Sequence, residues 1–241
     1  PRQAARDGGG VMSRIKKKQF GIGLFLMVTF AFVMFAIFMP VFDGGNALDY
    51  LDNLYNSISK GSAYYIPKVE HQVEDHGSEV VSLNLKMADP GAAQTAEVLF
   101  SRAGATTEVE GGNLMVNGDL ERIFTTCLED AESAYHNRRE DLVARYGMEA
   151  RPALYTWWLA LGAMEKDLNR QKLFAAAQLT HTVQAKTVEC AYNYFGIEAQ
   201  EIRSRWGTVL FSLVFYVLYT IWYGYGIMYL FEGLGFELAA H

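Results

Sequence analysis

The sequence predicts a mainly α-helical membrane protein. Two transmembrane helices flank an extracytoplasmic α+β domain that carries a small β-α-β-β sheet and a long helical hairpin. Three observations predict this. Two runs, Phe20 to Phe42 (23 residues) and Trp206 to Phe231 (26 residues), hold no charged residue. Strand-like alternation is confined to residues 79–116, and apolar residues at helical spacing fill most of residues 120–183. Roughly 20 apolar residues span a hydrocarbon core of about 30 Å, and runs of this length are rarely built into a water-soluble core.

The uneven spread of apolar residues explains the composition. The chain of 241 residues is 51% hydrophobic; the two runs supply 39 hydrophobic residues among 49 positions, leaving the remaining 192 at about 44%, an ordinary soluble-domain value. Charge is as uneven. Residues 1–19 carry six basic residues (Arg2, Arg6, Arg14, Lys16, Lys17, Lys18) against Asp7, while Asp43, Asp49 and Asp52 follow the first run. A basic flank marks the cytoplasmic side. The expected order is a basic cytoplasmic segment (1–19), transmembrane helix 1 (20–42), an extracytoplasmic domain (43–205), transmembrane helix 2 (206–231) and a short cytoplasmic tail (232–241). The first run exceeds the apolar length of a cleavable leader and no Ala-x-Ala site follows it, so it reads as an uncleaved signal anchor.

Within the domain, Leu48, Leu51, Leu54, Tyr55 and Ile58 predict a short amphipathic helix over 47–60, closed by Gly61, Ser62 and Pro67. Glu79 to Lys86 predicts a strand and Ala92 to Ala103 a helix ended by Gly104. Two short strands flank Gly111-Gly112. A long helix is expected from an N-cap at Asp119 to a stop at Gly147. Pro152 opens the next, in which Leu154, Trp157, Leu161, Met164 and Leu168 repeat at the spacing of a helical seam. No strong breaker follows before Gly196, so helix is expected to continue as a stalk almost to the second span. Trp157 and Trp158 are adjacent and point about 100° apart, so one is expected to leave the seam for the membrane surface or another subunit.

Candidate chemistry is sparse. If residues 70–76 are helical, His71 shares a face with Glu74 and Asp75, a nitrogen and oxygen set suited to a divalent metal. A solvated acidic segment is the competing reading. Cys127 and Cys190 lie on predicted helices at unequal distances from the hairpin turn, which favours two thiols over a disulfide. No nucleophile elbow, phosphate loop, zinc signature, haem site or dinucleotide fingerprint occurs. No catalytic residue and no cofactor are therefore expected. A net charge of -6 argues against nucleic acid as a partner.

Partners are expected to be the lipid bilayer together with other membrane subunits or further copies of the chain. Gly224 and Gly226 would let another backbone approach, while Tyr216 and Tyr219, deep in the second run, would need a hydrogen-bond partner in lipid. With Trp157 and Trp158 they are the expected partner-contact residues. The function expected is a non-catalytic accessory or structural subunit of a membrane protein complex. The alternatives are an extracytoplasmic sensor or ligand-binding protein acting through a partner, and a subunit of a two-span channel. The last is disfavoured because neither run carries an ionisable residue.

Overall fold

The computed structural model describes residues 16–42 and 44–236. Arg2, Arg6, Asp7, Arg14, Asp43 and the last five residues lie outside the described part. The chain is mostly helical with one small antiparallel sheet, and it divides into two units: residues 55–200, and the flanking segments up to 54 and from 201.

The flanking unit contains two helices long and apolar enough to cross a membrane, α1 (Lys17–Ile37) and α10 (Ile202–Leu234). At 1.5 Å per residue they measure roughly 32 and 50 Å. The uncharged run continues to Phe42, but α1 stops at Ile37, since Pro40 restricts the residue before it and cannot continue a helical ladder. Beyond it Phe42 and Gly45 exchange backbone hydrogen bonds of 3.0 and 2.8 Å. The next helix, α2 (Ala47–Ser62), starts on a reciprocal cap: Asn46 Oδ1 accepts from the Leu48 and Asp49 amides, and Asp49 Oδ2 accepts from the Asn46 amide at 3.0 Å.

In the 55–200 unit, Pro67 opens a helix as well as following one. Helix α3 (Ile66–His76) buries Ile66, Val69 and Val73 at helical spacing, so residues 70–76 are helical. Strand β1 (Val80–Lys86), helix α4 (Pro90–Arg102), strand β2 (Thr106–Glu110) and strand β3 (Asn113–Asp119) follow in the expected β-α-β-β order. The sheet order is β1-β3-β2 and both pairings are antiparallel, so β1 and β2 run parallel with β3 between them. Val81, Leu83 and Leu85 of β1 and Leu114 and Val116 of β3 point to one buried face, where α4 supplies Ala96, Leu99 and Phe100.

Helices α5 (Leu120–Tyr135), α6 (Arg139–Tyr146), α7 (Ala150–Arg170) and α8 (Phe174–Val183) come next. A π-helical turn (Gln184–Val188) and α9 (Glu189–Tyr194) complete the domain. Asp119 caps α5 as expected, its Oδ1 accepting from the Glu121 amide at 2.9 Å. The expected single helix from 120 to 147 is, however, two. Asn137 sits at φ 58°, and the Asn137 and Arg138 amides return to Ala134 and Ser133 carbonyls, closing α5 as a left-handed cap. The Asn137 side chain then bonds the Gly196 amide and the Ile197 carbonyl at 2.7 and 3.1 Å.

The expected stalk is also absent. Helix α7 ends in the same motif with Lys172 at φ 65°, and the Leu173 amide returns to Leu168. The reason lies in the sheet edge. Asp167 Oδ2 accepts from the Asn84 amide and Gln171 Nε2 donates to the Ser82 carbonyl, so the last turn of α7 occupies the free edge of β1. The chain turns again at Gly196 and a non-helical link precedes α10.

The core centres on Trp157, which is fully buried with its ring edge-on to Phe100 at 5.3 Å. Beside it Asp130 is buried completely and accepts three hydrogen bonds. Arg145 Nη1 donates to Oδ1 at 2.5 Å; Tyr146 Oη and Trp157 Nε1 donate to Oδ2 at 2.5 and 2.8 Å. Burial pushes the Asp130 carboxyl up, and the bonds from Tyr146, Trp157 and Arg145 oppose the rise. Both cysteines are free thiols, and burial pushes that of Cys127 up strongly. Asp130→Asn turns part of an acceptor into a donor facing donors. It is expected to cost about 3–5 kcal/mol in urea unfolding of the full chain followed by tryptophan fluorescence. The control Asp141→Asn weakens the exposed pair with Arg138, keeps an amide oxygen to accept from the Ser133 hydroxyl, and is expected to cost about 1 kcal/mol or less.

Candidate functional site: an apolar helix pair and a basic cleft

Helices α1 and α10 pack along one narrow seam. Phe30 stacks on Tyr219 with ring centroids 4.3 Å apart and lies 5.0 Å from Tyr223. One turn along, Trp222 Nε1 donates to the Leu26 carbonyl at 3.1 Å. Three glycines then close the approach. A Cβ at Gly226 would stand 2.8 Å from Met27 Sδ, one at Gly23 2.5 Å from the Leu230 amide nitrogen, and one at Gly233 2.5 Å from the Phe20 backbone. The Lys16 amide finally donates to the Gly233 carbonyl at 2.9 Å. In this pair small residues let backbones meet and large rings fill the diverging end.

This geometry sorts the expected partner-contact residues. Tyr219 and Gly226 do meet another helix, but it is α1 of the same chain. Gly224 faces open space, with nothing within 4 Å of a Cβ built there, so it takes no part in the seam with α1. The sequence reading missed Gly23 and Gly233; the seven-residue spacing of Gly226 and Gly233, two turns on one face, was the available signal. Tyr216 is 67% exposed, and its hydroxyl has no hydrogen-bond partner among the described residues. Away from the seam, both helices present exposed rings and aliphatic chains, among them Phe25, Phe32, Phe35, Phe211, Val217 and Leu218.

The tryptophan pair divides as its spacing requires. Trp157 goes to the core and Trp158 is 38% exposed, stacked on Tyr155 at 6.2 Å with Nε1 toward Glu189 Oε2 at 3.3 Å. The metal expectation does not assemble. His71 Nδ1 pairs with Glu74 Oε2 at 3.1 Å on the exposed side of α3, and the described residues contain no group of three His, Cys, Asp or Glu placed to hold a metal.

A cleft of about 660 Å³ lies in the 55–200 unit between the end of β1, α7 and the π-helical turn. Lys86, Lys166 and Arg170 line it with His181, Glu165, Trp158 and Gln184. Gln184 Nε2 donates to the Trp158 carbonyl at 2.7 Å, tying the π turn to α7. Gly162 lies beneath, where a Cβ would come within 3.0 Å of that amide. His181 Nδ1 is 3.2 Å from Glu165 Oε2.

No protein-family model, curated protein or solved structure matches this chain. Gly233→Leu is expected to lower stability against SDS titration by about 1–3 kcal/mol, because it forces a side chain into the Phe20 backbone, and Gly226→Leu by less, because the Met27 side chain it meets can move aside. Gly224→Leu is the matched control and is expected to leave it unchanged.

Proposed function

We propose that the chain is a membrane-anchored, non-catalytic accessory subunit of a membrane protein complex. In this reading α1 and α10 cross the bilayer as an antiparallel pair, and the 55–200 unit lies outside the cytoplasm. The observation that carries it is the unpartnered aromatic surface of α10, above all Tyr216. Its phenol falls near the middle of an uncharged run of 26 residues and no described residue satisfies its hydroxyl. A hydroxyl left unpaired in hydrocarbon is costly, and a polar group on a helix of another subunit removes that cost. Insertion itself is supported by exposure. Core helices of a soluble protein bury an apolar face, whereas α1 buries only Gly23 and Phe30, and α10 only Gly226 and Gly233. Lys16, Lys17 and Lys18 at the start of α1 favour a cytoplasmic N-terminus.

A photo-cross-linking residue at Tyr216 in native membranes is expected to give a discrete adduct with another membrane polypeptide, and the same residue at Met27, inside the seam, none. Lipid adducts alone at Tyr216 would overturn the reading. A reporter at the C-terminus is expected on the cytoplasmic side, and glutamates at Lys16, Lys17 and Lys18 are expected to shift part of the population to the opposite orientation.

A further inference from the structure

We infer that the cleft between β1, α7 and the π-helical turn is a binding site for a phosphate monoester. Residues 55–200 carry 13 Lys and Arg against 20 Asp and Glu, yet the cleft is lined by three bases and one acid. Three acids bond residues of the lining and none of them pairs with a lysine: Glu189 accepts from the Trp158 indole. Glu165 pairs with His181. Asp167 pairs with Arg170 and spends its other oxygen on the Asn84 amide and on Gln171. Lys86 and Lys166 make no ion pair with any described carboxylate. Two uncompensated ammonium groups in one concavity match one doubly charged anion. A phosphate monoester carries about -1.5 to -2 at neutral pH and offers three acceptor oxygens.

The rest of the lining suits an organic body behind that phosphate. Trp158, Leu159 and Ala163 form an apolar wall, and about 660 Å³ lies within the usual range of small-ligand sites. The wall is built rather than incidental. The π-helical turn, an irregularity that costs hydrogen-bond regularity and recurs at functional sites, brings Gln184 onto the Trp158 carbonyl at 2.7 Å. Gly162 leaves that amide its room.

The test is calorimetric titration of the full chain in phosphatidylcholine nanodiscs with phenyl phosphate, inorganic phosphate and succinate. Phenyl phosphate is expected to bind more tightly than inorganic phosphate, and succinate more weakly than either. The double variant Lys86→Gln/Lys166→Gln, whose side chains are on the surface, is expected to keep its melting behaviour and lose affinity by roughly tenfold or more. Trp158→Leu is expected to weaken phenyl phosphate while leaving inorganic phosphate unchanged. Nanodiscs containing phosphatidic acid distinguish the source of the phosphate: competition with phenyl phosphate assigns a lipid headgroup, and its absence a free ligand. No binding at low salt, binding unaffected by the lysine substitutions, or succinate bound as well as phenyl phosphate would each overturn the assignment.

Discussion

The Asp130 carboxylate sets the arrangement of the 55–200 unit. It is carried on α5, held by Arg145 and Tyr146 from α6 and by Trp157 from α7, and it has no exposure to solvent. An unpaired carboxylate there would cost several kcal/mol, so the three donors must arrive together. Their arrival fixes where α6 crosses α5 and which face of α7 turns inward. With Trp157 pinned at both its ring and its nitrogen, Trp158 is forced outward to the cleft wall, and Asp167, three turns on, reaches the edge of β1. The cleft is thus a consequence of the same constraint that orders the core.

The two long helices obey different physics. In the proposed bilayer setting no hydrophobic force would separate helix from surroundings, so pairing would depend on close contact and on satisfied polar groups. Gly23, Gly226 and Gly233 give the contact, and the Trp222 indole on the Leu26 carbonyl gives the polar bond. The pair is narrow, which leaves most of each helix surface for other company. The large rings on that surface, and a phenol with no partner among the described residues, are what the proposed accessory role rests on.

Helix ends show where reading from residues reaches its limit. Helix α4 ends at Gly104, which any scan for left-handed caps finds, and the Ala105 amide returns to Phe100. Helices α5 and α7 end in the same hydrogen-bond pattern with Asn137 and Lys172 in the glycine position. Nothing local demands a break at either, because lysine and asparagine are tolerated within helices. Contacts far along the chain make the left-handed turn favourable: Asn137 binds the segment at 196–198, and Gln171 binds Ser82. The metal set at residues 70–76 failed for a related reason. Helical spacing placed His71 beside Glu74 correctly, but a metal site needs a ligand from elsewhere, and α3 turns that face to solvent.

The sequence by itself determined the two apolar helices, the β-α-β-β order, the Asp119 cap and the divergence of Trp157 from Trp158. Each depends on composition or periodicity within a single segment, where local physics is sufficient. Only the tertiary structure decided that β3 lies between β1 and β2, that Gly233 rather than Gly224 meets a backbone, that Asp130 is buried and paired, and that Lys86 and Lys166 line one cleft. Those outcomes join residues dozens of positions apart. Their energies arise from burial and pairing between segments, which exist only once the chain has folded.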